Sequence, residues 1–123
     1  MKDYLTVVDV LGMHAILIQR YGGIEGVRDM GGLESAIYRP QSGYYKDIVE
    51  EACALMESLL INHPFLDGNK RTAFAACSVF LKINGHAIKA DSATLYAAIL
   101  RWLELPVQKR FTCMVKELRE MLS

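Results

Sequence analysis

The chain has 123 residues, of which 52% are hydrophobic, and 14 Lys and Arg balance 14 Asp and Glu. This length predicts a single domain, residues 1–123, with enough apolar content to build a core. A net charge of zero excludes the basic surface typical of proteins that bind nucleic acid or an anionic membrane, so any affinity for phosphate must be local. No apolar run reaches the roughly 18 residues that a membrane span requires, and the mixed segment after Lys2 leads us to expect no signal peptide.

The three cysteines, Cys53, Cys77 and Cys113, lie far apart within apolar runs. Their odd number and wide spacing predict buried thiols in a reducing cytoplasm rather than disulfide bonds. The histidines also lack the spacing of zinc ligands, and we expect His14 to be a packed or surface residue of the first helix.

Apolar periodicity and helix-end signals predict six helices and no strand, which is an all-α domain. Thr6 and Asp9 form a capping-box pattern, Asp47 and Asp91 precede two later apolar stripes, and Asn84-Gly85 is a stop signal. The predicted helices are residues 6–21, 33–38, 47–62, 72–83, 91–105 and a last one from about residue 107. Residues 22–32 are glycine-rich and predict a loop.

The third and fourth predicted helices are the most hydrophobic, yet the segment between them is densely polar. It reads HPFLDGNKR, from His63 to Arg71. Pro64 should end the preceding helix, because its ring disfavours the helical conformation at His63, and Phe65 should anchor the loop in the core. Polar groups this dense between two core helices indicate a functional site.

The second half of the segment has the residues of an anion site. Gly68 permits a tight turn, and Asn69 can cap the helix that follows. The free N–H groups at that helix N-terminus would attract anions, and Lys70 and Arg71 add two formal charges. We therefore expect a polyphosphate to bind here.

The two remaining polar residues suggest a metal and a base. Asp67 suits Mg²⁺, which proteins usually hold with one or two carboxylates together with phosphate oxygens. His63 can accept a proton from an incoming hydroxyl. Taken singly, each residue also has a structural explanation as a helix cap or as part of a solvated surface. Their occurrence together favours the functional interpretation.

The segment resembles the signature of the Fic/Doc family, H-x-F-x-[D/E]-G-N-[G/K]-R. The matching residues are His63, Phe65, Asp67, Gly68, Asn69, Lys70 and Arg71. The form of the signature with lysine, here Lys70, where many Fic proteins have glycine, resembles the Doc (death on curing) toxin branch. This resemblance implies a compact six-helix Fic-type bundle with the active-site loop between two central helices.

The resemblance further implies a cytoplasmic toxin with phosphotransferase activity of the protein-threonine kinase type. ATP would donate its γ-phosphate, with Mg²⁺ as cofactor, to a hydroxyl of elongation factor Tu, which would block translation. His63 would be the catalytic base, and Asp67 would hold the metal. Phosphates would be bound by Gly68, Asn69, Lys70 and Arg71.

One position departs from the longer Fic pattern, which has a second arginine where this chain has Phe74. This difference favours the Doc branch over the alternative, a Fic-type adenylyltransferase that would attach AMP to a protein hydroxyl. A non-catalytic interaction domain with the Fic fold is a further alternative, although such a domain should have lost His63 or Asp67.

Control of the activity is expected to come from a partner. The sequence contains no [S/T]-x-x-x-E-[G/N] motif, which in many Fic proteins forms an inhibitory helix. We therefore expect an antitoxin of the Phd type, whose disordered tail folds into a groove on this domain. By the same resemblance, Gln41–Lys46 and the loop before it are candidates for the flap that positions a target chain, with a plain connector as the alternative.

Overall fold

The computed structural model describes residues 2–122 and confirms the all-α prediction. The helices are α1 (Val7–Tyr21), α2 (Met30–Tyr38), α3 (Ile48–Asn62), α4 (Asn69–Ile83), α5 (Ser92–Glu104) and α6 (Val107–Glu120), with a 3₁₀ turn, Arg39–Ser42, after α2. Across residues 2–122, extended pairing is limited to two isolated bridges, Val27 with Phe65 and Ile88 with Leu122. No helix in this range has the length and apolarity needed to cross a membrane.

Side-chain caps fix the starts of several helices. The Thr6 hydroxyl accepts from the Asp9 N–H at 3.1 Å, and the Asp9 carboxylate accepts from the Thr6 N–H at 2.8 Å. Asp47 and Asp91 cap α3 and α5 by accepting from the N–H three residues further along the chain. These contacts satisfy N–H groups that have no partner inside the helix, so the predicted starts are confirmed.

The second helix begins three residues before its predicted start. Asp29 caps it, because its Oδ1 accepts from the Gly32 N–H at 2.9 Å. A Cβ atom on Gly32 would lie 3.3 Å from the Asn62 Cβ, so the glycine lets α2 approach the end of α3 closely. The Asn62 amide then donates to the Gly32 carbonyl at 2.9 Å. The predicted loop is correspondingly shorter and ends at Asp29.

Helix α3 is the centre of the bundle and packs against α2, α4 and α6. Its side chains are buried around most of its circumference, as the wide apolar stripe predicted. Small residues on α4, Ala73 and Ala76, are completely buried. The loop between α3 and α4 is therefore anchored at both ends in the best-packed part of the protein.

The cysteines differ in environment. Cys53 on α3 and Cys77 on α4 are buried, and burial raises the pKa of the Cys77 thiol to about 12. Cys113 on α6 is only partly buried, because α6 packs with one face, and its thiol donates to Glu117. The prediction of buried thiols is therefore confirmed for two of the three cysteines.

A buried carboxylate joins three parts of the bundle. Glu57 on α3 accepts from Arg110 of α6 through Nε at 2.9 Å, and from Arg39 of the 3₁₀ turn through Nη1 at 2.9 Å. Glu57 and Arg110 are each 8% exposed. Arg39 also donates to the Tyr45 hydroxyl at 2.6 Å, which ties the start of the next segment to the same cluster.

Neutralising Glu57 should destabilise the fold. The variant Glu57→Gln leaves two arginines at a buried site without a counter-charge, and we expect the free energy of unfolding to fall by about 3 kcal/mol. Urea denaturation followed by circular dichroism measures this change. The exposed pair of Arg119 and Asp47 provides a control, because Arg119→Ala should cost at most about 1 kcal/mol. Equal losses in the two variants would contradict the prediction.

Candidate active site

The polar segment forms the reversal between α3 and α4, at residues 63–68. His63 ends α3 in the left-handed conformation, with φ 46° and ψ 57°, and it is the one non-glycine residue with positive φ within residues 2–122. This conformation costs an L-residue roughly 1–2 kcal/mol, so surrounding contacts must hold it. His63 is exposed, whereas Pro64, which follows it directly, is buried.

Part of the support comes from the loop between α1 and α2, residues 22–29. The Leu66 N–H donates to the Gly26 carbonyl at 3.0 Å. The Pro64 carbonyl accepts from the N–H groups of Arg28 and Asp29, at 2.7 and 3.0 Å. The two loops therefore run side by side and share main-chain hydrogen bonds.

The Arg28 side chain adds two further contacts at the end of α3. Its Nε donates to the His63 carbonyl at 2.7 Å, and its Nη2 donates to the Asn62 carbonyl at 2.6 Å. The last carbonyls of a helix have no partner within it and carry its partial negative charge. The Arg28 guanidinium therefore supplies hydrogen-bond donors to these carbonyls and a positive charge beside the negative end of the helix.

Phe65 and Asn69 close the reversal from inside. Phe65 is 1% exposed, as expected for the anchor of the loop. The Asn69 carboxamide spans the turn, because its Nδ2 donates to the Phe65 carbonyl and its Oδ1 accepts from the Phe65 N–H, both at 3.0 Å. The expectation that Asn69 caps α4 is therefore wrong. Gly68 is the cap residue, at φ 75°, and Asn69 is the first residue of the helix.

Helix α1 forms the floor of the reversal through His14. This residue is 3% exposed, its ring stacks on Phe65 with centroids 3.8 Å apart, and its Nε2 donates to the Asp67 carbonyl at 2.8 Å. Because a carbonyl only accepts, this bond places the proton on Nε2. Ile18 lies one turn further along, where its Cδ1 would be 3.2 Å from a Cβ on Gly68, so glycine suits both the space and the positive φ.

The Asp67 carboxylate is exposed and held in a defined orientation. Its Oδ2 accepts from the Ile24 N–H at 3.2 Å, and its Oδ1 accepts from the Gly68 N–H at 2.8 Å. Each carboxylate oxygen has a further lone pair available for a metal. No group of three or more potential metal-binding side chains occurs in the described part of the chain. One carboxylate therefore fits Mg²⁺ only if phosphate oxygens supply other ligands, which is the usual arrangement for this ion.

The start of α4 is suited to phosphate. The N–H groups of Asn69, Lys70 and Arg71 lie in its first turn, where they have no intrahelical partner. Between residues 2 and 122, neither Lys70 nor Arg71 forms an ion pair. The Arg71 guanidinium instead lies over the Tyr21 ring, 4.5 Å from its centroid. The two cations therefore remain available to an anion.

A groove lies between α1, α4 and α5, and Arg71 is one of the residues that line it. Its volume is about 620 Å³ and most of its lining is apolar. Leu17 and Tyr21 of α1, Phe74 of α4, and Tyr96 and Leu100 of α5 contribute to its walls. Phe74 occupies the position at which the longer Fic pattern has its second arginine, so an apolar wall replaces a charge there.

The two candidate flap segments differ in location. The loop of residues 22–29 contacts the reversal directly, as described above. The Gln41–Lys46 segment has its contacts elsewhere, because the Tyr45 hydroxyl accepts from Arg39 and the Tyr45 ring packs on Phe111 of α6. Residues 22–29 are therefore the segment beside the candidate site.

All predicted site residues lie in the reversal or in the first turn of α4, and the structure adds His14 and Arg28, which contact the reversal from elsewhere in the chain. His14 has a weak sequence signal, since it is a polar residue at helical spacing from the apolar Val10 and Ile18. Arg28 has no such signal, because it lies in a glycine-rich loop without periodicity. Only the folded chain shows that its guanidinium reaches the end of α3.

Replacing His14 should loosen the reversal. His14→Ala removes a buried ring and a hydrogen bond, and we expect the free energy of unfolding to fall by about 2–3 kcal/mol. His14→Phe keeps a ring against Phe65 and loses the bond to the Asp67 carbonyl, so it should cost about 1 kcal/mol. Urea denaturation measures both. A loss below about 0.5 kcal/mol in His14→Ala would contradict this account.

Comparison with known proteins agrees with the geometry. Residues 4–81 match the model of the Fic/DOC family. The chain is 44% identical over 96 residues to "Toxin Doc" of Mycolicibacterium smegmatis, covering 74% of this chain and 72% of that protein. It is 33% identical over 86 residues to "Protein kinase doc" of Escherichia phage P1, covering 67% and 68% respectively. The chain therefore belongs to the Fic/Doc family.

Proposed function

We propose that this protein is a Doc-type toxin that transfers the γ-phosphate of ATP to a hydroxyl of elongation factor Tu and thereby blocks translation. The main support is the reversal itself, which combines an exposed histidine, an oriented carboxylate and a cationic helix N-terminus within nine residues. The names of two relatives, a Doc toxin and a protein kinase, agree with this proposal.

In the proposed reaction, His63 is the general base. It removes the proton from the acceptor hydroxyl as the oxygen attacks the γ-phosphorus, and the bond from that phosphorus to the β–γ bridging oxygen breaks. ADP leaves with the bridging oxygen. His63 suits this role because it is exposed and its main chain is held by contacts that do not involve its ring.

The phosphates would be held at the start of α4. The first-turn N–H groups, including those of Asn69, and the side chains of Lys70 and Arg71 would bind the phosphate oxygens, and Gly68 lets the chain approach them closely. The Asn69 carboxamide maintains the turn, because both of its polar atoms already bond to Phe65. Asp67 would hold Mg²⁺, which when bound would neutralise charge on the phosphates.

Two features favour phosphoryl over adenylyl transfer. Lys70 adds a charge where many Fic proteins have glycine, which would bring the terminal phosphate of the nucleotide under stronger attraction. Phe74 lies in the groove wall, so the cation that a second arginine would supply there is missing. Both features support a nucleotide orientation that exposes the γ-phosphate to the acceptor.

Intact-mass analysis of elongation factor Tu, after incubation with the protein and MgATP, tests the reaction. We expect a gain of one phosphate, and His63→Ala should slow it by about a hundred- to ten-thousand-fold while its unfolding transition remains unchanged. Asp67→Asn should raise the Mg²⁺ concentration needed for half-maximal activity. His86→Ala is the matched control, because His86 lies in the turn after α4, at the opposite end of that helix from the reversal.

The other outcomes separate the alternatives. A gain of AMP would assign the protein to the adenylyltransferases. No change in elongation factor Tu, but a His63-dependent phosphate on another protein of a bacterial lysate, would show that the proposed target is wrong. Absence of any transfer in both assays would favour a non-catalytic interaction domain.

We also propose an antitoxin of the Phd type as partner, with the groove along α1, α4 and α5 as the site for its tail. The lining of the groove is mostly apolar and includes Arg71. These properties match an amphipathic helix that carries a carboxylate near its end. A tail bound there would place this carboxylate beside Arg71 and so compete with phosphate.

Growth assays test the partner. Expressed alone in a bacterial host, the chain should arrest growth, and His63→Ala should not. Co-expression of a Phd-type antitoxin should restore growth. Ala97→Trp fills the groove from α5, a helix that contributes no residue to the reversal, and should therefore keep the toxicity but lose the rescue. A wild-type chain that is harmless when expressed alone would remove the main support for this partner.

A further inference from the structure

The position of the His63 imidazole depends on an unusual main-chain conformation. Its φ of 46° is the one positive value for a non-glycine residue within residues 2–122. Glycine would adopt such a conformation freely, whereas histidine adopts it only under external constraint. Any contact that fixes the main chain at this residue therefore also fixes where its ring leaves the surface.

The Arg28 guanidinium is such a contact. Its Nε and Nη2 donate to the carbonyls of His63 and Asn62, at 2.7 and 2.6 Å. A guanidinium is planar, so its two donors have a fixed relative geometry and hold two successive carbonyls in a defined relation. Its positive charge also lies at the negative end of α3.

The main chain of the same loop is attached independently of this side chain. The N–H groups of Arg28 and Asp29 both donate to the Pro64 carbonyl, and Leu66 donates to Gly26. Loss of the guanidinium would therefore leave the loop of residues 22–29 docked on the reversal. What it would release is the main chain at the end of α3 and at His63.

We propose that Arg28 is a positioning residue for His63, through the two carbonyls that flank the αL turn. The proposal rests on the proposed role of His63 as general base. Arg28 itself is exposed and contacts neither the Asp67 carboxylate nor the start of α4 in any hydrogen bond or ion pair of residues 2–122. Its effect should therefore fall on the rate of transfer rather than on nucleotide binding.

Steady-state kinetics of phosphate transfer give the first test. In Arg28→Ala, we expect kcat to fall about ten- to a hundred-fold, because small displacements of a catalytic group have effects of this size, while the KM for ATP stays within about two-fold. Arg28→Lys keeps the charge but lacks the planar pair of donors, so it should recover only part of kcat.

Arg119→Ala is the matched control. Arg119 is also an exposed arginine, and it binds Asp47 at the opposite end of α3, with Nη2 and Oδ2 separated by 2.7 Å. This variant should keep the wild-type kcat. Two kinetic outcomes would overturn the proposal: a higher KM for the acceptor protein with unchanged kcat, which would make Arg28 a docking contact, or full recovery of kcat in Arg28→Lys.

Imidazole NMR gives a readout that needs no activity. The chain has three histidines, so each can be assigned by substitution. In Arg28→Ala the His63 resonances should shift or broaden, while those of His86, at the far end of α4, should not move. Unchanged His63 resonances would overturn the proposal. If the wild-type chain transfers no phosphate and the His63 resonances still move, the proposed kinase reaction fails, whereas the positioning contact stands.

Discussion

The site depends on how the main chain between α3 and α4 satisfies its polar groups. A reversal between two buried helices cannot use helical hydrogen bonds, and unpaired buried groups would each cost about 1–3 kcal/mol. Here the partners come from three places: His14 on α1, the loop of residues 22–29, and Asn69 on α4. The conformation that presents His63 is therefore imposed by the rest of the fold.

This arrangement divides the family signature into two kinds of residue. Phe65, Gly68 and the Asn69 side chain build the turn, since they are buried, at positive φ, or bonded to the main chain. His63, Asp67, Lys70 and Arg71 surround it and have side-chain groups open to solvent or to a ligand. A substitution in the first group should alter the geometry of the second, even where it touches no substrate.

Much of the fold could be predicted because its signals are local. The caps at Thr6, Asp47 and Asp91 act over three residues, and apolar periodicity over one or two turns, so a single sequence contains both. The predicted start of α2 was wrong because Gly31 and Gly32 indicate a loop unless Asp29 is recognised as the cap of the helix. The prediction that Asn69 caps α4 was wrong because its carboxamide bonds to the main chain of Phe65, four residues earlier. Gly68 takes the cap position instead.

The contacts that join the site to distant parts of the sequence could not be predicted in this way. The contacts of His14 and Arg28 cross 53 and 35 residues of sequence, and nothing in their neighbourhoods specifies a partner. The motif could therefore be recognised from its own dense chemistry and its resemblance to a family, whereas its supporting residues required the three-dimensional structure.

These long separations also affect when the site can form during folding. Helix formation needs contacts between near neighbours and is fast, whereas closing a loop of several tens of residues carries an entropic cost that must be met before its contacts form. The contact between His14 and Asp67 spans 53 residues, so His14 can support the turn only after α1 has met the segment that follows α3. A chain emerging from the ribosome would contain α1, the loop and α3 before the reversal and the start of α4. The candidate site would therefore take its final geometry only when α1, the loop of residues 22–29 and the end of α3 have packed around the reversal.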